Sequence, residues 1–376
     1  MARIRLCYVT HGLSSNGIES LLVSVAQQID RDKYDVTFVI ALDPDVIPLH
    51  EPTILSLGMR VIHVCDLDTL KKKRQYAVSL RRIFAAEKFD IVHANMDLLN
   101  GIVLRAAKRA GVPRRICHSH NSKTQYAVGR GAIVKKTAQR AYRFLKRRLI
   151  VQNSTDLLGC SDLANAYMYG NRPAAVIHNG TDLQRFRDAR ETGDAAPDLQ
   201  KAPIHLCTVG RVSAQKNPLF LVSIAEELRK LRQDFVLHWA GTGELFAEVK
   251  EAVKARGLGS CVQLLGLRTD VPQILAGCTY FLLPSLFEGL PVVLVEAQAS
   301  GLTCFVSNEV SAQTDAGSCR FLPLDIGAAG WAKTIDEAIR SGLRLTADPE
   351  RLRLFDVRNT VEELDRVYSD TEGGKA

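Results

Sequence analysis

Short apolar runs alternate with helical patterns from the start of the chain. The run RIRLCYVT is followed by helical spacing of apolar residues over 17–29, and then by YDVTFVI. This order predicts a β-α-β unit, and further strands are predicted at 60–64, 90–93, 115–118 and 158–160. Continuously apolar strands are typical of a parallel sheet buried on both faces. The first half is therefore predicted to be a doubly wound Rossmann-type domain.

The same alternation restarts in the second half of the chain. Five apolar runs, IHLCTVG, FVLHWAG, CVQLLG, YFLLP and TCFVS, are separated by predicted helices over 217–232, 244–256, 271–276 and 291–300. A second Rossmann-like domain is predicted, which makes the chain an α/β protein. Ligands of such sheets bind at the carboxyl ends of the strands, so the two domains are expected to face a central cleft.

The polar stretch 187–203, RDARETGDAAPDLQKAP, contains few large apolar residues and is predicted to be the linker. The predicted domains are then 1–186 and 204–351. Residues 350–371 have apolar positions near helical spacing, which predicts one or two amphipathic helices, and the helix over 352–371 could pack back on the first domain.

Composition and charge narrow the function classes. The 376 residues carry a net charge of +8, and the basic excess lies in the first half, which indicates an anionic surface or substrate there. The nine cysteines form no C-x-x-C pair, so they are interpreted as small buried hydrophobes, and neither a zinc site nor a disulfide framework is favoured. We recognise neither a secretory signal nor a long apolar span, so a cytoplasmic location is expected.

Two carboxylates lie in the apolar stretch FLLPSLFEGLPVVLVEAQASG over 281–301. The loop Ser285–Leu290 precedes a helix predicted to begin at Pro291, where free backbone N–H groups and the helix dipole favour a diphosphate. Gly289 would allow close approach of the backbone. Glu296 lies within the helix, where it can accept hydrogen bonds from a diol. The alternative is that Glu288 only complements the dipole and Glu296 lies on a solvated face.

An ordered series of motifs resembles glycosyltransferase family 4, the retaining enzymes of the GT-B fold, and in particular the bacterial exopolysaccharide transferases of the EpsF type. The spacing from Glu288 to Glu296 matches the family's E-x7-E signature. The resemblance covers nearly the full chain. The other matching segments are Asn16–Glu19, Arg115–Asn121, His178–Asp182 with Phe186, Val209–Arg211, Gln215–Pro218, Gly241–Glu244 and Leu264–Pro272.

The resemblance implies roles for individual residues. Arg211, Lys216 and the backbone amides of 286–290 would meet the charge that develops on the leaving diphosphate, Glu288 would contact the donor sugar, and Glu296 the ribose. Glu288 as nucleophile and a front-face reaction both remain open. The catalytic histidine of the first domain maps to His120, with His118 as the alternative. A third interpretation is that His120 is only a hydrogen-bonded loop residue without a catalytic role.

The resemblance also assigns residues to donor binding. The chain departs from the family at Asn16-Gly17, where two adjacent glycines are usual. Ile18-Glu19 occupies the positions where a P-loop NTPase would need Lys-Ser/Thr, so a P-loop is not predicted. Backbone near 266–268 is expected to contact uracil. The assigned residues are Asn16, Gly17, Gly210, Gly241, Gly266, Arg268, Ser285, Gly289, Leu290 and Glu296.

These expectations combine into a retaining, metal-independent glycosyltransferase without a cofactor. It would move a sugar from a nucleotide-sugar, expected to be a UDP-sugar, to a saccharide or lipid-linked acceptor in bacterial exopolysaccharide or capsule biosynthesis. The motifs supply no aspartate pair for a divalent ion. The alternatives are a nucleotide-sugar epimerase of the same architecture and a nonenzymatic protein that binds an anionic ligand.

Two basic segments, 71–74 and 135–148, suggest peripheral contact with an anionic membrane. Solvated helix faces are the alternative interpretation. Nucleic acid is not expected as a partner, because the clusters carry few stacking aromatic residues and match no known binding module.

Overall fold

The structure is a computed structural model that describes residues 3–14, 17–121, 133–288 and 290–370, without the side chains of residues 133–141. The chain divides into two compact domains. The N-terminal domain comprises Met1–Gly180 and Val357–Ala376, and the C-terminal domain comprises Thr181–Asp356. Each contains a parallel sheet between helices, so the Rossmann-like α/β fold predicted for both halves is confirmed.

The N-terminal sheet has the strand order β3-β2-β1-β4-β5-β6-β7 with parallel pairing. Its strands are β1 (Ile4–Thr10), β2 (Tyr34–Ile40), β3 (Arg60–His63), β4 (Ile91–Ala94), β5 (Arg114–Ser119), β6 (Asp156–Gly159) and β7 (Ala175–Val176). Its helices are α1 (Gly17–Gln28), α2 (Glu51–Ser56), α3 (Leu70–Glu87), α4 (Asn100–Arg109), α5 (Ile133–Asn153), α6 (Asp162–Tyr169) and, from the end of the chain, α14 (Val357–Ser369).

The central strand β1 shows why this domain has continuously apolar strands. Leu6 and Tyr8 pack into one hydrophobic cluster, which includes residues of α1 and α14. The intervening Cys7 and Val9 pack into a second cluster with residues of α3 and α4. Successive side chains of a strand point to opposite faces, so both faces of this sheet are covered by helices.

The C-terminal sheet has the order β10-β9-β8-β11-β12-β13, also in parallel pairing. Its strands are β8 (Ile204–Val209), β9 (Phe235–Ala240), β10 (Val262–Gly266), β11 (Tyr280–Leu283), β12 (Thr303–Ser307) and β13 (Cys319–Leu322). Its helices are α7 (Gln184–Thr192), α8 (Pro218–Leu231), α9 (Phe246–Ala255), α10 (Val271–Ala276), α11 (Val292–Ala299), α12 (Gly327–Arg340) and α13 (Pro349–Arg353).

The predicted linker 187–203 is wrong in its first part, because residues 184–192 form helix α7. The buried residues of this polar helix are Phe186 and Ala189, and Phe186 is fully buried in the core of the C-terminal domain. Arg190 adds hydrogen bonds from Nη1 to the carbonyl oxygens of Ala276 and Cys278, at 2.8 and 3.1 Å. Two buried apolar side chains and one arginine thus attach a segment whose composition predicts a loop.

The chain passes between the two domains at 180–181 and at 356–357, whereas the sequence predicted that the domains end at 186 and 351. Residues 181–186 belong to the C-terminal domain, where the Thr181 N–H donates to the carbonyl oxygen of Phe355 at 2.9 Å. The chain leaves that domain after Asp356, and α14 then packs on α1 of the N-terminal domain. Leu364 and Tyr368 of α14 are buried in the same cluster as Tyr8.

Buried histidines make the stability of both domains sensitive to acid. His238 on β9 is fully buried between His205 and the Gln263 side chain, at 2.8 Å from each. Burial lowers the pKa of His238 to about 4, and it lowers the pKa of His93 in the N-terminal domain to about 3. These groups bind protons more tightly in the unfolded chain, where a histidine has a pKa of about 6.5.

We therefore expect stability to be fully present above about pH 6.5 and to fall as the pH drops towards 4. The melting temperature should decrease steadily over this window. His238→Gln should reduce the slope of melting temperature against pH, because it removes one proton-binding site from the unfolded chain. Scanning calorimetry at several pH values measures the melting temperature. A melting temperature that stays constant between pH 7 and 4.5 would contradict the expectation.

Candidate active site

The loop after β11 holds Glu288 by three donors. Ser285, which is fully buried, donates from Oγ to Glu288 Oε1 at 2.8 Å. Lys216 Nζ lies 2.7 Å from the same oxygen, and Gln215 Nε2 donates to Oε2 at 3.0 Å. The Glu288 side chain is only 8% exposed. The carboxylate is therefore fixed in orientation and compensated by a cation.

Lys216 and Gln215 reach this loop from the turn that follows β8. The Leu286 N–H donates to the Gln215 carbonyl oxygen at 2.9 Å, and Gln215 Nε2 also donates to the Phe287 carbonyl oxygen at 3.1 Å. Lys216 and Glu288, which were predicted as site residues with separate roles, are thus in direct contact. Gln215 belongs to a matched motif but had no predicted role, because sequence spacing gives no sign of a contact across 73 residues.

Glycines form the tips of the three neighbouring strands β8, β9 and β10. Gly210, Gly241 and Gly266 have φ values of +145°, +142° and +68°, a region that side chains with a Cβ rarely adopt. A Cβ on Gly241 would lie 1.9 Å from the Gly210 carbonyl oxygen. The Gly241 N–H donates to the Gly266 carbonyl oxygen at 2.7 Å. These predicted donor-site glycines therefore form one tightly packed edge of the sheet.

Two predicted arginines have partners that the sequence did not suggest. Arg211 is 75% exposed and its Nε lies 3.2 Å from Glu244 Oε2, so the structure does not pair it with Glu288. Arg268 binds Asp198 and Asp270 through its guanidinium group. The Arg268 side chain is thus held by two carboxylates of its own domain.

Glu296 lies on α11, whose first helical residue is Val292 and whose N-cap is Pro291. Thr181 Oγ1 donates to Glu296 Oε1 at 3.1 Å, and Arg185 Nη2 lies 4.0 Å from the same oxygen. Burial raises the pKa of Glu296, while Arg185 and Thr181 oppose that shift. Arg185 had no predicted role. It lies on α7, in the segment next to the predicted linker.

His120 lies just beyond the carboxyl end of β5, between two carboxamides. Its Nδ1 lies 2.9 Å from Asn179 Oδ1, and its Nε2 lies 2.9 Å from Asn95 Oδ1. Burial lowers the pKa of His120 to about 4, with a smaller opposing effect of Asn179. The imidazole is therefore neutral at pH 7. Neither asparagine was predicted to have a role.

His118 differs from His120 in its surroundings. It is 3% exposed, and its Nδ1 lies 3.2 Å from Nε2 of His93, whose Nδ1 in turn lies 2.6 Å from the Tyr368 hydroxyl. The His118 and His120 rings are in contact, with centroids 4.1 Å apart. His120 is half-buried and is therefore the more exposed of the two side chains.

Two further predicted donor residues, Gly17 and Leu290, lie at helix starts. Gly17 is the exposed first residue of α1, near Ser14, which donates from Oγ to the buried Glu19 carboxylate at 2.7 Å. Leu290 is half-buried before α11 and contacts the cluster formed by Leu183 and Val295. Asn16 and Gly289 lie outside the described residues. Within the described part of the chain, no group of three or more His, Cys, Asp or Glu side chains could hold a metal ion.

Comparison with known proteins gives this geometry a context. The family model described as "Glycosyltransferase Family 4" matches residues 15–185, and "Glycosyl transferases group 1" matches residues 203–340. EpsF of Bacillus subtilis is 32% identical over 349 residues, which cover 90% of this chain and 88% of EpsF. The chain belongs to glycosyltransferase family 4. The resemblance seen in its motifs is thereby confirmed, and the protein is a glycosyltransferase.

Two further matches agree with this assignment. A "UDP-Gal:alpha-D-GlcNAc-diphosphoundecaprenol alpha-1,3-galactosyltransferase" of Escherichia coli is 28% identical over 320 residues, covering 82% of this glycosyltransferase and 80% of that protein. The structure of HepE of Anabaena in complex with UDP superposes with a TM-score of 0.76 at 15% identity, covering 97% of this chain and 100% of HepE. This likeness confirms the predicted GT-B fold.

Proposed function

We propose that this glycosyltransferase moves a sugar from a UDP-sugar, with retention of anomeric configuration, to a lipid-linked saccharide in bacterial exopolysaccharide biosynthesis. The proposal depends on one observation in this family 4 chain. The Glu288 carboxylate, in the loop before α11, is bound by the side chains of Lys216, Ser285 and Gln215. The Escherichia coli relative named above uses UDP-Gal and a diphosphoundecaprenol acceptor, and HepE was solved with UDP.

The proposed chemistry places charge where these residues lie. When the anomeric C–O bond breaks, its electron pair goes to the diphosphate, and the developing charge needs fixed donors nearby. Lys216 has three N–H bonds and uses one towards Glu288, so it can also bind a phosphate oxygen. The amino end of α11 and the exposed Arg211 add positive potential. This set supplies charge stabilisation that does not require a divalent ion.

Other residues fit the rest of the donor and the acceptor. We assign Glu296, which is held near Thr181 and Arg185, to the ribose hydroxyls, and the backbone around Gly266 to the uracil. His120 of the N-terminal domain is assigned to the reacting sugar, as a neutral hydrogen-bonding group. Glu288 then positions the donor sugar, and the leaving phosphate accepts the acceptor proton in a front-face reaction.

The test is a panel of nucleotide-sugars, assayed with a lipid diphosphate saccharide as acceptor and with excess chelator. We expect a UDP-sugar to be used, activity to persist in chelator, and proton NMR to show the donor's anomeric configuration in the product. Complete loss of activity in chelator would overturn metal independence, and an inverted product would overturn retention. Formation of an epimerised nucleotide-sugar without any acceptor would favour an epimerase instead.

We also propose that the N-terminal domain contacts an anionic membrane, where such an acceptor is anchored. Within the described residues, no helix is long and apolar enough to cross a bilayer. Ile47 and Leu70 are 76% and 80% exposed, and exposed Lys71 and Arg74 follow at the start of α3. The loop after β2, which contains Ile47, lies next to the start of α3, because Asp43 Oδ2 is 3.5 Å from Lys72 Nζ. Exposed apolar side chains beside cations suit a surface of anionic lipid.

Sedimentation with anionic liposomes tests this surface. We expect binding at low salt and release at high salt. Lys71→Glu with Arg74→Glu should weaken binding by more than tenfold, since each cation near such a surface contributes about 1 kcal/mol. Ile47→Asp should weaken binding at both salt concentrations, whereas the control Leu231→Asp, on an exposed apolar residue of the C-terminal domain, should not. Equal binding by all variants would contradict the proposal.

A further inference from the structure

The two carboxamides on either side of His120 have a consequence for its protonation. Asn95 is 1% exposed, and its Nδ2 donates to the His93 carbonyl oxygen at 3.2 Å. This bond fixes which way the amide of Asn95 faces, so its Oδ1 is the atom that meets His120 Nε2, at 2.9 Å. An amide oxygen only accepts hydrogen bonds. The Nε2 atom of His120 must therefore carry a proton.

The other ring nitrogen then follows from charge. Among the residues that the structure describes, no carboxylate contacts the His120 ring, and a second proton would place a cation in a largely buried setting. His120 Nδ1 thus has a lone pair. Asn179 can meet this lone pair with Nδ2, because rotation of its amide by 180° exchanges two atoms of nearly the same shape. Among the described residues, the titratable groups next to His120 are His93, His118 and Cys160.

Asn179 is itself held in place by its neighbours in sequence. The His178 carbonyl oxygen accepts from Thr360 Oγ1 at 2.9 Å, and His178 Nδ1 lies 3.0 Å from the Cys160 carbonyl oxygen. Gly180 packs so closely on α14 that a Cβ there would lie 2.7 Å from the backbone of Val357. The carboxamide of Asn179 is therefore placed by the start of α14 as well as by β6.

We propose that Asn95 and Asn179 are positioning residues, which hold His120 as the neutral tautomer protonated on Nε2 and fix the plane of its ring. Asn95 sets the tautomer, and Asn179 sets the tilt of the ring from the opposite side. With Nε2 held by Asn95, His120 can hydrogen-bond the reacting sugar only through Nδ1, as an acceptor that takes the place of Asn179, rather than as a general base. This inference rests on the proposed catalytic role of His120.

The experiment compares ring nitrogen spectra with kinetics in the full-length protein labelled with ¹⁵N-histidine. The His120 signals are assigned by their absence in His120→Ala. We expect a protonated Nε2 and an unprotonated Nδ1 between pH 5.5 and 8. Asn95→Asp places a carboxylate against the Nε2 proton and should raise the pKa of His120, so the acidic limb of the kcat profile should move to higher pH.

Kinetics of the alanine variants separate a positioning role from a general loss of structure. Asn95→Ala and Asn179→Ala should each lower kcat by about fivefold to thirtyfold, the effect of one buried hydrogen bond, with the donor KM unchanged. Asn153→Ala is the matched control, because it removes another buried amide of the same domain whose Nδ2 donates to the Leu149 carbonyl oxygen at 2.6 Å. Asn179 is half-buried, so its variant is the one best suited to fold.

Two outcomes would overturn the proposal. One is a wild-type spectrum with the proton on Nδ1, and the other is an unchanged tautomer, kcat and pH profile in all the Asn95 and Asn179 variants. Full activity of His120→Ala would instead refute the catalytic role of His120. The spectra would still decide whether the asparagines set its tautomer, so the two failures are distinguishable.

Discussion

Lys216→Ala is expected to lower kcat/KM by about 10²- to 10³-fold, the usual effect of removing one fixed donor that meets charge in the transition state. Lys216 Nζ contacts Glu288 Oε1 at 2.7 Å, and its side chain is 21% exposed, so the ammonium group is accessible to a phosphate. The fold should tolerate the change, because Glu288 keeps its bonds from Ser285 and Gln215. Steady-state kinetics with the preferred donor measure the effect.

The matched control is Lys230→Ala in the same domain. Lys230 pairs with Glu227 at 2.6 Å, and its side chain is 62% exposed. Such surface pairs contribute little to stability, so neither kcat/KM nor the melting temperature should change. A Lys216→Ala enzyme within tenfold of the wild type, with a normal melting temperature, would contradict the assigned role of Lys216.

Gly241→Ala is expected to destabilise the C-terminal domain by more than about 4 kcal/mol, which is exceptional for a single methyl group. The added Cβ would lie 1.9 Å from the Gly210 carbonyl oxygen, and the φ of +142° is unsuited to alanine. Relief would require the ends of β8 and β9 to separate. The variant should therefore lose donor binding and unfold at a lower temperature, as measured by calorimetry and by binding of UDP.

Gly259→Ala is the control for this substitution. Gly259 lies in the same domain, a Cβ there would meet nothing within 4 Å, and its φ lies outside the strained region. Its melting temperature should stay close to that of the wild type. Near-normal stability of Gly241→Ala would show that the strand ends are looser than the structure indicates.

The fold could be predicted from the sequence because both sheets are buried on two faces. Each strand then appears as a continuous apolar run, and each helix has its own periodicity. Helix α7 was missed because only Phe186 and the small Ala189 are buried, and one large apolar residue gives no periodic signal. The helix ends predicted between 217 and 300 differ from the observed ones by two residues at most, as at α11, where Pro291 is the N-cap rather than the first helical residue. The helix predicted over 352–371 begins only at Val357.

The candidate site was predictable where its chemistry lies in ordered motifs, as for Lys216 and Glu288. It was not predictable where a role depends on pairing between distant segments. Asn95 and Asn179 are 25 and 59 residues from His120, and no spacing rule links an amide to a ring at such distances. Arg268 illustrates the same point, because its partner Asp198 lies 70 residues away, inside the segment predicted to be the linker.

The return of α14 to the N-terminal domain has a consequence during synthesis. Leu364 and Tyr368 complete a core whose other members, such as Tyr8, left the ribosome hundreds of residues earlier. The C-terminal domain ends at Asp356 and can therefore finish folding first. Until α14 is synthesised, part of the apolar surface of the N-terminal domain stays exposed. Nascent chains are therefore expected to need chaperone protection longest at the domain that is made first.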